Sequence, residues 1–436
     1  MSTLELHSST RSNGAIQQLK DSVFLNQTWI DFEAEKGVGP NLPDFLQRKL
    51  ERQEDILYKS QQTGDYLAVG RSADAQSIAL QSNDYLDISQ HPSIRQAQLD
   101  SLQEKSNSTV MSAVFLGGNS KQAVFEKAMA TFAHMPSAVL CQSGWAANVG
   151  LMQVIADATI PVYIDMFTHM SLWEGVKQTG APVHAFRHND VQHLEALLKK
   201  HGAGVVLTES IFSTTGVVAP LRDIIRVANV YDCISVVDES HSLGTHGPEG
   251  AGLVAELGLS ESVHFITSSL AKAFAGRAGV ILGPAEVCER LPFLSFPAIF
   301  SSAMLPYEID GLLATLKLIQ GAYHRRCKLH GNASYLRTGL AELGYNIESQ
   351  SQIIALEAGV VANTAVLRDR LDKENILGSA FYPPATPRAR SLVRFSLNAG
   401  LDRQQLDSIL SVCAAIRDDV GMWQWKSVLR KQRRKH

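Results

Sequence analysis

Between residues 137 and 283 the chain alternates short apolar runs with amphipathic stretches of helical period. SAVLCQ (137–142), IPVYID (160–165), GVVLTES (204–210), CISVVDES (233–240), VHFITSS (263–269) and AGVILG (278–283) are each six to eight residues built around two or three of Val, Ile and Leu. Continuous apolar character, rather than strict alternation, predicts strands buried on both faces. VQHLEALLKKHG (191–202) reads as a helix with Asp190 at its N-cap and Gly202 past its end, and LRDIIRVANVYD (221–232) as another entered through Pro220. Strand, helix, strand repeated in this way predicts an α/β fold with a mostly parallel central sheet and helices on both faces.

Outside this region the pattern changes. Residues 1 to 40 are rich in Ser, Gln and Asn and have weak periodicity, which predicts a loosely ordered extension. Residues 43–60 carry helical spacing, and SIALQSNDYL (77–86) has a strand pattern. After Pro306 the chain is helical through 307–326, then closes with QIIALEAG (352–359) and SLVRFSLNA (391–399). The expected organisation is an extension (1–40), a segment (41–105) contributing to a small α+β domain, a large domain (106–306), and the small domain proper (307–436). The basic end, Lys426 and Arg430 to Lys435, is expected to be a solvated tail.

Composition narrows the function. The 436 residues are 45% hydrophobic and 19% charged, ordinary for a globular enzyme or binding protein, and the net charge of −3 gives no electrostatic case for nucleic acid. No run approaches the roughly 20 apolar residues of a membrane helix. The five cysteines are dispersed without CxxC spacing, and the N-terminus lacks a signal-peptide core, so a cytoplasmic location is expected.

Open parallel sheets bind ligands beyond the carboxyl ends of their strands, and three candidates fall there. QSGWAANVG (142–150) leads from a strand into a helix, so its small residues let backbone N–H groups approach an anion. Asp238 and His241 end a strand, where a carboxylate could pair with a protonated ring nitrogen or simply hold a loop. Lys272, in SSLAKAFAGRAG (268–279), lies among small and apolar neighbours that would lower its pKa and free it as a nucleophile, although a lone lysine in such a place is more often a snorkelling surface residue.

The order of these elements, together with SNDYL (82–86), DMFTHMSLWEG (165–175), ESIFSTTGVVAPL (209–221), DESHSLGTHGPEGAG (238–252) and PAIFSSAMLP (297–306), resembles the α-oxoamine synthases. These are fold type I (aspartate aminotransferase-like) enzymes that use pyridoxal 5′-phosphate (PLP), and the similarity spans roughly residues 40 to 415. The resemblance implies that Lys272 forms the Schiff base and moves the substrate proton. Asp238 would keep the pyridine nitrogen protonated, His241 would meet the phenolic oxygen and His169 would stack on the ring. Ser143, Gly144, Trp145, Ser213 and Ser269 would surround the cofactor and its phosphate. Ser301 or Ser302 would reach the phosphate of a neighbouring subunit, making a homodimer with shared sites. Arg394 would clamp the amino-acid carboxylate, a task suited to a planar guanidinium, and Asn83 would line the substrate channel.

The chain also departs from the broad family. Asp87 stands where a glycine is usual, and SAVFLGGNS (112–120) carries Val114, Phe115 and Leu116 in place of small residues, changes expected to reshape the pockets. The wording of LQSNDYL, SLAKAFAGRAG and FPAIFSSAMLPYE is similar to a subgroup that makes precursors of α-hydroxyketone quorum-sensing autoinducers. That implies condensation of a medium-chain acyl-CoA, such as decanoyl-CoA, with S-adenosylmethionine or 2-aminobutyrate to an amino-ketone. The alternative is another member of the 8-amino-7-oxononanoate or 2-amino-3-ketobutyrate type.

Three competing readings are weaker. Ser269–Leu–Ala–Lys272 matches the SxxK pattern of serine acylases, yet SDN and KTG are missing. A binding protein on the same scaffold would have no need of both Asp238 and Lys272. His184, His188 and His193 could suggest zinc, but no acid or Cys cluster supports them, so no metal is expected.

Overall fold

The computed structural model describes residues 42–51, 76–104, 110–116 and 118–433. The chain divides into residues 1–62 and residues 63–436. In the first unit a helix occupies 44–51, within the stretch expected to be helical; the rest of that stretch and the expected extension lie outside the described residues.

In the second unit a seven-stranded sheet has the order β2-β8-β7-β6-β5-β3-β4. Its strands are β2 (Ser137–Cys141), β3 (Val162–Asp165), β4 (Val183–Phe186), β5 (Val205–Glu209), β6 (Ile234–Asp238), β7 (Phe265–Ser269) and β8 (Gly279–Gly283). β3 to β7 pair in parallel, while β8 runs antiparallel to both β2 and β7. Helices cover the sheet as the alternation predicts. Val206, Val237, Ile266 and Leu282 enter one apolar cluster, and their neighbours Val205, Val236, Phe265 and Ile281 enter the other. Successive side chains point to opposite faces, so burial on both sides requires the unbroken apolar runs seen in the sequence.

The helices that matter below are α1 (Pro92–Gln103), α2 (Lys121–Phe132), α3 (Gly144–Ile155), α4 (Met170–Thr179), α5 (Val191–His201) and α6 (Leu221–Val230). Asp190 caps α5 by accepting from the His193 N–H at 2.9 Å, and Gly202 ends it with φ of 87°, both as expected.

Several expectations are corrected. β4 was not expected, because it is an edge strand with Val183 exposed and offers no buried run. His184 therefore sits on a strand, stacked on Tyr163 and on His201 at ring distances of 5.4 and 3.7 Å. His188 lies beyond the strand, with Nδ1 3.1 Å from Asp165 Oδ1. The strand pattern at 77–86 shrinks to β1 (Ile78–Ala79), pairing in parallel with β10 (Ile376–Leu377); Tyr85 and Leu86 are instead buried from a turn.

The helical stretch after Pro306 is two helices, α7 (Pro306–Gly321) and α8 (Tyr323–Glu342), broken at Ala322 where ψ is 34°. Beyond them β9 (Ile353–Gly359), β11 (Ser379–Phe381) and β12 (Ser391–Ser396) form an antiparallel sheet ordered β11-β12-β9, flanked by α9 (Val361–Lys373) and α10 (Arg403–Ile416).

The basic end is not a free tail. Lys426–Arg433 is a helix, α11, packed by Val428 at 1% exposure and tied to β9 by Ser427 Oγ, which donates to the Glu357 carbonyl at 2.6 Å. Arg430 also donates to the Glu357 carboxylate at 2.5 Å. Among the described residues no helix is long and apolar enough to cross a membrane.

Candidate active site

The carboxyl ends of β5, β6 and β7 lie side by side, with Glu209 paired to Asp238 and Asp238 to Thr267 in the sheet register. Register alone thus gathers polar strand ends at one edge of the sheet. Asp238 is 5% exposed, and its partners are neutral donors: Asn148 Nδ2 at 2.8 Å and the Ser240 N–H at 2.9 Å. No cationic side chain bonds it among the described residues, so it is open to a cationic group.

The turn into α3 supplies the second wall. Ser143 is the N-cap, its Oγ accepting from the Ala146 N–H at 3.0 Å. Gly144 approaches β7 so closely that an added Cβ would lie 2.6 Å from Ser269 Cβ. The turn is held there by β8, where Gly279 packs against the Ser143 carbonyl. Ser269 is fixed by its N–H, which donates to Ser240 Oγ at 2.7 Å.

Two imidazoles complete the inner cavity. His169 caps α4, bonds Ser171 Oγ through Nδ1 at 2.8 Å, and meets the edge of Trp145 at a ring distance of 6.0 Å. Burial lowers its pKa against the opposing charge of Asp238. His241 is fully buried, with Nδ1 2.6 Å from the Tyr85 hydroxyl. Burial, and then the charges of Lys272, Arg394 and His169, hold it well below the usual histidine range, so it is neutral at pH 7. Lys272 follows β7; burial pulls its amine below the ordinary lysine value, with Asp238 opposing the shift.

Gly144, Trp145, His169, Ser213, Asp238, His241, Ser269 and Lys272 thus line one inner cavity of about 80 Å3. His169, Ser213, His241 and Lys272 also face an outer cavity of about 530 Å3, which adds Asn83, Arg394 and an apolar wall including Phe167, Trp173 and Leu392. Arg394 donates from Nη1 to the Ser213 carbonyl at 2.8 Å and from Nη2 to Asn83 Oδ1 at 3.2 Å, and it lies 4.7 Å from the Phe381 ring centre. Its Nε is buried without a partner among the described residues, leaving a fixed guanidinium with donor capacity to spare.

Two sets of expected residues lie elsewhere. Ser301 and Ser302 line neither cavity of the single chain: Ser301 Oγ turns back to the Pro297 carbonyl, and Ser302 bridges to Ser112. Val114, Phe115 and Leu116 form part of a short turn beside that bridge and do not shape either cavity; Phe115 is 75% exposed. Asp87 does occupy a glycine-like position, with φ of 54°, and Arg325 Nη1 braces it by donating to its carbonyl at 3.0 Å.

Asn148, Glu209 and Tyr85 are site residues to which the sequence motifs assign no role. Asn148 stands one helical turn after Gly144, and Glu209 ends its strand with a carboxylate as Asp238 does. Tyr85 lies two residues after Asn83.

The residues present fit PLP. A negative strand end facing neutral donors suits a pyridinium, the Gly144 turn leaves a cradle that a Cβ would fill, and a buried amine stands beside both. Fold and site together define a PLP-dependent enzyme of fold type I. The family model for aminotransferase class I and II matches residues 75–412, and the chain belongs to that family, within its α-oxoamine synthase branch of PLP-dependent acyltransferases.

It is 46% identical over 372 residues to the CAI-1 autoinducer synthase of Vibrio campbellii, an alignment covering 85% of this chain and 95% of that one. It is also 26% identical over 392 residues to the 8-amino-7-oxononanoate synthase of Treponema denticola, covering 87% and 98% of the two chains. In fold it is similar to a serine palmitoyltransferase from S. paucimobilis with a TM-score of 0.81 and 24% identity, covering 86% of this chain and 99% of the other.

Proposed function

We propose that the chain condenses a medium-chain acyl-CoA, of about decanoyl length, with S-adenosylmethionine or 2-aminobutyrate, yielding an amino-ketone precursor of an α-hydroxyketone autoinducer. Carbon dioxide and free coenzyme A are the other products. The observation that carries this reading is the 46% identity to an autoinducer synthase over nearly its full length.

PLP, when bound, supplies the electron sink that makes the substrate α-carbon acidic. Lys272 would hold its aldehyde end, Asp238 its ring nitrogen, and Gly144, Trp145 and Ser269 its phosphate, with His169 on the ring face and His241 at the phenolic oxygen.

Arg394 binds the amino-acid carboxylate and so orients the α-hydrogen toward Lys272. The lowered pKa of Lys272 leaves a share of the amine neutral and able to take that proton, then return it after carbon dioxide departs. The apolar wall of the outer cavity accepts the acyl chain and excludes water from the thioester. Ser301 or Ser302 reaches the phosphate of a second copy in a cytoplasmic homodimer. Their position outside both cavities of their own chain is consistent with that role.

Coenzyme A release, measured over a grid of acyl lengths and amino acids, tests the reading. A preference for medium chains with S-adenosylmethionine or 2-aminobutyrate supports it. Equal turnover of short chains with glycine overturns the substrate assignment.

A further inference from the structure

Glu209 is wholly buried, 2% exposed, and its carboxyl forms no ion pair among the described residues. Burial and the neighbouring charge of Asp238 both push its pKa well above the usual carboxylate range. An apolar side chain would fill this strand end at lower cost, so the carboxyl calls for a reason.

Its hydrogen bonds supply one. One oxygen accepts from the His169 N–H at 2.6 Å and the other from the Ser213 N–H at 3.2 Å. His169 begins α4 on one side of the site, and Ser213 lies in the loop after β5. The Ser213 carbonyl in turn receives Arg394 Nη1 at 2.8 Å. A continuous chain of contacts therefore runs from His169 through Glu209 and Ser213 to Arg394. Glu239, the other buried glutamate beside Asp238, makes a useful contrast. It accepts from Ser242 and Val254, residues of its own following loop, and touches neither cavity wall.

We infer that Glu209 is a positioning residue that sets the cofactor-facing His169 and the carboxylate-binding Arg394 in one shared register. The inference rests on the proposed function, because it takes Arg394 as the carboxylate site. Glu209 itself moves no proton and need not touch substrate; it fixes two loops by their backbone.

The test uses PLP-loaded Glu209→Gln enzyme, which keeps the volume but turns one acceptor into a donor facing an N–H. The amino-acid KM should rise about tenfold, a typical cost of leaving a buried N–H without its acceptor, while the thioester KM stays within about twofold. The visible circular dichroism of the cofactor should change as His169 shifts. Glu209→Asp should recover part of both effects. In an Arg394→Lys background, Glu209→Gln should add less than about twofold to the amino-acid KM, since the two act in series.

Amino-acid KM and dichroism both within twofold of wild type would overturn the inference while Lys272→Ala still abolishes turnover. If Lys272→Ala retains turnover, the site reading fails first and this inference with it. Should Glu209→Gln not fold, the wild-type enzyme decides. The His169 and Ser213 amide protons should exchange more slowly than the other amides of their loops, and exchange of either at the loop rate overturns the assignment.

Discussion

The hydroxyl of Tyr85 and Nδ1 of His241 lie 2.6 Å apart in a wholly buried contact. Burial raises the Tyr85 pKa, so the phenol keeps its proton and can donate it to Nδ1. With the phenol as donor, the imidazole carries its own proton on Nε2, the tautomer that can donate to an oxygen of a bound ring. Tyr85→Phe should lower kcat by about tenfold, the worth of one buried hydrogen bond, with cofactor retained. Unchanged kcat would remove Tyr85 from the site.

The pH dependence of stability has a definite sign. His241 resists protonation when folded but titrates near its ordinary value of 6.5 when unfolded. Below 6.5 the unfolded chain binds a proton that the folded chain refuses, so stability falls as pH drops and levels off above 6.5. His169 shifts in the same direction. In urea titrations between pH 5 and 8, His241→Asn should flatten this slope; an equally steep slope would show that other groups set the acid limit.

Arg394→Lys replaces a fork by a point charge and gives up the contacts to both Ser213 and Asn83. The amino-acid KM should rise by about 10- to 100-fold, in line with a lost charged hydrogen bond of roughly 1.5–3 kcal/mol. The expected thioester KM is unchanged. Equal increases for both substrates would place the arginine in general architecture instead.

Gly144→Ala puts a methyl group 2.6 Å from Ser269 Cβ and 2.9 Å from its Cα. Neither backbone can yield far, because β8 pins the turn from the other side. Overpacking of this kind costs about 1–3 kcal/mol, and it falls where the phosphate is proposed to bind. Equilibrium dialysis should show weaker cofactor retention, whereas wild-type retention would rule out this turn as the phosphate cradle.

Ending the chain at Trp425 removes α11, the buried Val428 side chain, and the Ser427 and Arg430 bonds to Glu357. Burial of one valine and the Ser427 hydrogen bond together predict about 2–3 kcal/mol less stability, the exposed Arg430 ion pair adding little. The outer cavity should feel the loss too, because Glu357 also holds Arg390 at that wall, at 2.6 Å. A urea midpoint equal to that of the full chain would mean that the helix is not docked in solution.

The central strands are legible because burial on both faces leaves short apolar runs, and their repeated alternation with amphipathic helical stretches marks them as strands. Edge strand β4 is not, since exposed Val183 and half-buried His184 carry no such mark. Lys272, Asp238, His169 and Gly144 could be found as parts of an ordered motif set, and the fold brings them to one cavity. Asn148, Glu209 and Tyr85 acquire their meaning from contacts across 90, 40 and 156 positions of chain, which spacing does not display. Arg430 looked like part of a solvated run because its partner, Glu357, lies 73 residues earlier.

His169, Ser213, His241 and Lys272 face both cavities, and this shared wall governs traffic through the site. Whatever occupies the outer room acts as a stopper for the inner one, so under the proposed function substrate arrival itself would shield the thioester from water. The same arrangement would make departure a gate on turnover: a product still in the outer room closes the inner one to the next substrate until it leaves.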